Sequence, residues 1–209
     1  PRDPKQKCAG IKSRAKGKHV KVPAGDPLGT HRVLEPKGAL PQPAERLDND
    51  FSKVYSTEIV VDVQTLNIDA ASFRQMEEQS KGDLDGVAFL VRQTVARRGK
   101  QHNPVTGSGG MLLGTVAYVG DLAAERGFLP GDRIATLVSL SLTPLWLDRV
   151  TAVRQASAQL DVVGKAAVFL TAPVARIPLD MPERLVLALL DVAGAAPQVA
   201  RLCEAGDTV

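Results

Sequence analysis

Residues able to move or hold a proton gather in two short stretches, Asn67 to Ser72 and Gln101 to Gly110. His102 stands directly before a glycine-rich turn, and an imidazole titrates in the range that suits proton transfer near neutral pH. Its structural alternative is a loop histidine that caps a backbone group. Asp69 could hold an ammonium through a charge-assisted hydrogen bond. It could equally be the N-cap of a helix beginning near Ala70. Thr106 and Ser108 can offer hydroxyls to a cleft. The run Gly107-Ser108-Gly109-Gly110 could bring backbone amides close to an anion, but it lacks the P-loop lysine and leads into a strand, whereas an anion site needs a following helix N-terminus. It reads as a tight turn at which Gly107 and Gly109 allow a cofactor or substrate to approach, with pure turn geometry as the alternative. Glu77 and Glu78 are adjacent on a helix and point in different directions, as a solvated face does. Trp146, between Leu145 and Leu147, reads as a packing or interface residue.

The elements that must position these groups follow from periodicity. Ile59, Val61, Val63 and Thr65 alternate with Val60, Asp62 and Gln64, the pattern of a half-buried strand over Glu58–Asn67. Helical composition follows over Ala70 to Gln79. A stronger helix spans Asp83 to Arg98, with Leu84, Val87, Ala88, Val91 and Val95 on one face and Gly99 as its stop. Met111 to Val119, Arg133 to Leu140 and Ala166 to Thr171 are further strands separated by Gly, Pro and Asp, which argues for a closed or nearly closed sheet. Before them, Gly29 to Pro43 reads as an extended arm. Composition changes at Ala172. Asp180 to Ala193 reads as a nearly all-apolar helix with Pro182 in its first turn, and Pro197 to Ala205 as a second helix capped by Gly206. Asp207-Thr208-Val209 then reads as the start of a strand.

Of 209 residues, 44% are hydrophobic but only 4% aromatic, so aliphatic side chains carry the core. Residues 1–25 hold eight Lys and Arg against Asp3, a charge of +7 in a chain whose net is +3, so the remainder is acidic. The basic excess belongs to a tail, residues 1–27, read as solvated and disordered. Nucleic-acid binding finds no aromatic stacking platform in that tail. Pro1 in place of Met reads as processing or truncation. No apolar run is long enough to span a bilayer. Cys8 and Cys203 have no Cys or His partner at metal-ligand spacing, and a reduced, cytoplasmic setting fits them.

Five segments together carry a family resemblance: Gly29 to Pro36, Leu40 to Ala44, Thr65 to Phe73, His102 to Leu113, and Ala135 to Pro144. Over roughly residues 28 to 209 the chain resembles the L-erythro-3,5-diaminohexanoate dehydrogenases of lysine fermentation, a zinc-free branch of the medium-chain dehydrogenase/reductases. The resemblance implies a mixed α/β chain. A GroES-like β-barrel substrate domain would cover 28–175, and a linker with the opening helices of a truncated Rossmann domain would cover 176–209. It implies an amine dehydrogenase that uses NAD or NADP, acts on a diamino acid and is a homodimer. Zinc-dependent relatives place a Cys where Asn67 stands and Gly-His-Glu where Gly107-Ser108-Gly109 stands, so no catalytic metal is expected. The resulting assignments are His102 and Asp69 as catalytic, Asn67, Ser72, Thr106 and Ser108 as substrate-binding, and Gly107 and Gly109 as cofactor-binding. Two other readings share the barrel: a zinc-free quinone or enone reductase, and a non-catalytic, basic-armed β-barrel.

Overall fold

A computed structural model describes residues 22–209 except 138, 191–194, 205–206 and 208–209. The tail expected over 1–27 therefore lies largely outside the described residues, as do Gly206 and the last two residues of Asp207-Thr208-Val209.

The spine is a ten-residue strand, β3 (Glu58–Asn67), with the bounds its alternation predicts. Two short strands precede it, β1 (Val33–Glu35) and β2 (Arg46–Leu47), which form a ribbon of their own. β3 pairs on one side with β4 (Met111–Val119) and on the other with β7 (Gln159–Phe169). β5 (Arg133–Thr136) and β8 (Val174–Arg176) extend the β4 side, and β6 (Leu145–Arg154) extends the β7 side. All pairs are antiparallel, in the order β6-β7-β3-β4-β5-β8. Among the described residues the end strands β6 and β8 do not pair with each other, so the ladder is open and not a closed barrel.

Register shifts against both neighbours fall between Val63 and Thr65 of β3. A bulge adds one residue and reverses the facing of everything after it. Ile59, Val61 and Val63 thus share the main core with Leu66 and Ile68, while Thr65 faces the other way, contrary to simple alternation.

Helix α1 (Ala70–Gln79) follows directly, and α2 (Leu84–Arg98) packs against it and against β6. Val87, Val91 and Val95 of α2 are buried in the main core. Asp83 caps α2 by accepting from the amides of Asp85 and Gly86, and Gly99 ends it at φ 68°. On the opposite face of the sheet Leu113, Ala135 and Ile177 pack against Val186 and Leu187 of α3 (Glu183–Ala188). This helix starts at Glu183 with Pro182 as its N-cap instead of a first-turn residue, and the end expected at Ala193 lies outside the described residues. The last helix, α4 (Ala195–Leu202), begins and ends earlier than expected.

Gly29 to Pro43 is no free arm. Arg32 is fully buried, and its guanidinium donates to both oxygens of Glu58 at 2.7 and 2.8 Å and to the carbonyls of Asp50 and Lys53. His31 Nε2 lies 2.9 Å from Glu58 Oε1. Burial alone would raise the Glu58 carboxyl, but the hydrogen bonds from Arg32 and then His31 outweigh it and hold Glu58 below the usual carboxylate range. Farther along, the buried ammonium of Lys100 donates to the carbonyls of Pro41 and Gln42, each at 2.8 Å. An ion pair at one end and a buried ammonium on two carbonyls at the other therefore fasten a segment that has little apolar surface to bury.

Candidate functional site

The loop between α2 and β4 and the first turn of α1 meet at the Asn67 end of β3. Asp69 caps α1: its Oδ1 accepts from the Ser72 amide at 2.9 Å, while its Oδ2 is buried without a hydrogen-bond partner. Ser72 is 1% exposed. Its Oγ lies 3.2 Å from Thr106 Oγ1 and accepts from Asn103 Nδ2 at 2.8 Å. The same Asn103 amide donates to Gln75 Oε1, its Oδ1 accepts from the Val105 amide, and its backbone closes the turn onto Gly107 and Ser108. Ser108 in turn donates its amide to Thr106 Oγ1. Asp69, Ser72, Thr106 and Ser108 are thus joined in one network. Its hub is Asn103, which residue type alone did not single out; an Asn directly before Pro104 is the one local signal of a turn initiator.

Beside this network a pocket of about 150 Å³ opens between α1, α2 and the loop, lined in part by Ser72, Gln75, Gln101 and His102. His102 Nδ1 and Gln101 Oε1 are both buried and unpartnered. Burial, then the charges of Lys100 and Arg98, push His102 down to about 4. The imidazole is neutral at pH 7, and its conjugate acid is too strong for an efficient general base there, since the best base has a pKa near the working pH. It is suited to accept a hydrogen bond. Lys100 is itself pushed down to about 8, by burial and then by Arg98.

Asn67 does not join this group. The β3 bulge turns it to the opposite face of the sheet, where its Oδ1 accepts from Gln159 Nε2 at 3.0 Å. Gln159 lines a larger cleft of about 530 Å³ between the sheet and residues 177–187. Two half-exposed ion pairs, Arg154–Asp161 and Arg133–Glu183, stand in its walls. Exposed pairs of this kind add little to stability.

The glycines also divide. Gly107 adopts φ 73° and a Cβ there would meet nothing within 4 Å, whereas a Cβ on Gly109 would stand 2.3 Å from the carbonyl of Gln101. On Gly110, at φ 82°, it would stand 1.9 Å from the carbonyl of Asn67. Gly109 and Gly110 are therefore needed for the loop to pack on the strand ends, and Gly107 alone is open to an approaching molecule. The Gly107–Gly110 run offers no helix N-terminus to a pyrophosphate, because it leads into strand β4. Among the described residues no group of three His, Cys, Asp or Glu is placed to hold a metal ion.

Residues 31–178, which contain the whole polar network, match the model of the L-erythro-3,5-diaminohexanoate dehydrogenase N-terminal domain. The chain belongs to this family. It is 50% identical over 186 residues to L-erythro-3,5-diaminohexanoate dehydrogenase of Acetoanaerobium sticklandii, covering 88% of this chain and 54% of that protein. It is 51% identical over 179 residues to the enzyme of the same name from Fusobacterium nucleatum, covering 85% of this chain and 52% of that protein. The chain spans about half the length of these curated relatives. Both the network around Asn103 and the cleft beside Gln159 are built from residues of the family domain or its immediate C-terminal continuation.

Proposed function

We propose that the chain supplies the substrate-facing part of an NAD- or NADP-dependent amine dehydrogenase. The reaction is oxidation of the C3 amine of L-erythro-3,5-diaminohexanoate: hydride passes from C3 to the nicotinamide, and water adds to the resulting iminium to give 5-amino-3-oxohexanoate, ammonia and a proton. Family membership over residues 31–178 carries this reading, supported by two relatives of that name at half identity. The fold type we assign is GroES-like, leading into a Rossmann unit, in a cytoplasmic homodimer.

Hydride loss from an amine carbon requires the nitrogen lone pair, so the amine must be uncharged when it reacts. A free alkyl ammonium has a pKa of about 10.4, that of lysine. The nicotinamide dinucleotide supplies the hydride acceptor. On this chain, His102 and Ser72 line the pocket between α1 and α2, and Thr106 and Asn103 hold the Ser72 hydroxyl. Asp69, with one carboxylate oxygen left over from capping, is the group we assign to a substrate ammonium. Asn103 positions Ser72 and Thr106 and touches no reacting atom.

The test is nicotinamide reduction by the protein that carries this chain, offered L-erythro-3,5-diaminohexanoate with NAD or NADP. We expect turnover of the diamine, lowered roughly a hundredfold in Ser72→Ala and His102→Leu by loss of hydrogen bonds to the reacting end. Turnover of quinones or enones without turnover of the diamine would overturn the assignment.

A further inference from the structure

The hydrogen bonds around Ser72 and Thr106 fix which hydroxyl is left to act on a ligand. Ser72 Oγ accepts from Asn103 Nδ2 at 2.8 Å and lies 3.2 Å from Thr106 Oγ1. Thr106 Oγ1 also accepts from the Ser108 amide at 3.2 Å. By geometry the proton between the two hydroxyls could belong to either one. If Thr106 gave it, the Ser72 oxygen would accept twice, and the Ser72 proton would have no acceptor on a residue that is 1% exposed. A buried donor without a partner carries its full desolvation cost. Ser72 is therefore the donor. Both lone pairs of Thr106 Oγ1 are then taken, by Ser72 and by the Ser108 amide, and the Thr106 proton has no acceptor among the described residues. Thr106 is exposed and stands one hydrogen bond from Ser72, which lines the pocket between α1 and α2. It presents a hydroxyl that can give a hydrogen bond and cannot take another.

The surroundings suit a negatively charged acceptor. Residues 101–110 contain no Lys, Arg, Asp or Glu. Lys100 and Arg98, whose charges reach His102 in the same loop, are both positive. Gly107, next to Thr106, leaves room: a Cβ there would meet nothing within 4 Å. The carboxylate tied into this network is that of Asp69, which accepts from the Ser72 amide. A ligand that carries both a carboxylate and an ammonium meets both signs of charge.

We propose that Thr106 donates its hydroxyl proton to the carboxylate of the bound ligand and so selects for an acid at that end. The inference rests on the dehydrogenase reading in naming that ligand as the diamino acid. Of its polar ends only the carboxylate suits a hydroxyl that can only donate. The C5 ammonium has no lone pair, and the C3 amine must keep its own for hydride loss. Thr106 is then a specificity residue.

The test removes the hydroxyl and the carboxylate in turn, in the protein that carries this chain. L-erythro-3,5-diaminohexanoate is compared with 2,4-diaminopentane, which keeps both amines and lacks the carboxylate. Thr106→Val should cost the diamino acid roughly tenfold more in kcat/KM than it costs the diaminopentane, with the difference in KM. Thr106→Ser keeps the hydroxyl and should match the unaltered protein on both. Equal losses on the two substrates, the mark of a merely structural role, would overturn the proposal, as would no loss on either. Sodium acetate, set against sodium chloride at equal ionic strength, supplies a readout without turnover. It should shift the amide signals of Thr106, Gly107 and Ser108 in nitrogen–proton spectra. Should Thr106→Val not fold, or the diaminopentane not react, this titration decides, and the absence of an acetate-specific shift overturns the proposal. Acetate shifts in a protein that does not oxidise the diamine would support the role of Thr106 and remove the dehydrogenase reading. Turnover of the diamine with no acetate shift would leave that reading intact and remove the proposal.

Discussion

His102 couples the pocket to pH in a direction that can be worked out. Its pKa is about 4 in the fold and about 6.5 in an unfolded chain. Between those values the unfolded state binds more protons, so stability falls as pH drops from about 6.5 to about 4 and is unaffected by this group above that window. The loss is on the order of 1–3 kcal/mol, allowing for solvent screening of a partly exposed ring. Urea unfolding of His102→Gln across the same range should show a correspondingly flatter profile, and a His102 titration midpoint near 6.5 would refute the burial argument. Lys100 acts at the other end. Its pKa of about 8 lies below the usual lysine value, so between about 8 and about 10.4 this group makes stability rise with pH. Lys100→Met strands the carbonyls of Pro41 and Gln42, and chemical denaturation should register a loss of about 2–3 kcal/mol.

At the scale of elements, the glycine turn separates a steric requirement from an open surface. Gly110→Ala forces a Cβ into the Asn67 carbonyl at a left-handed φ, and we expect a loss of more than about 3 kcal/mol or failure to fold. Gly107→Ala meets no atom, and only the left-handed backbone cost of about 1 kcal/mol remains. Thermal melts of the two variants measure the difference directly. The elements legible in the sequence are those with local signals: β3 by alternation, β4 by apolar content between turn residues, α1 by helical composition after Asp69, and α2 by its apolar face and the stop at Gly99. β6 escaped notice because it is an edge strand whose exposed Asp148, Arg149 and Thr151, with two register shifts, erase the period-two pattern. Polar site residues were legible by type, and the structure joins Asp69, Ser72, Thr106 and Ser108. The facing of Asn67 was not, because it depends on a bulge that only pairing with β4 and β7 reveals. Asn103 matters through contacts some thirty residues away in sequence.

For the whole molecule, a buried ion pair ties the N-terminal segment to the first residue of β3. Glu58→Gln leaves Arg32 buried without its counter-charge and should cost about 3–5 kcal/mol, read from denaturant midpoints. At the other end of the chain Leu179, Leu185, Val199 and Leu202 are exposed. An apolar surface of this kind promotes association, and light scattering of the chain should detect dimers or larger species. The central claim is that the diamino acid is bound on the α1 side of the sheet, at the Asn103 network, and not in the charged cleft on the α3 side. Hydrogen-exchange mass spectrometry of the protein, with and without L-erythro-3,5-diaminohexanoate, tests it most directly. Protection should rise in the first turn of α1 and over residues 101–108; protection confined to β6, β7 and residues 177–187, or none anywhere, would contradict the account.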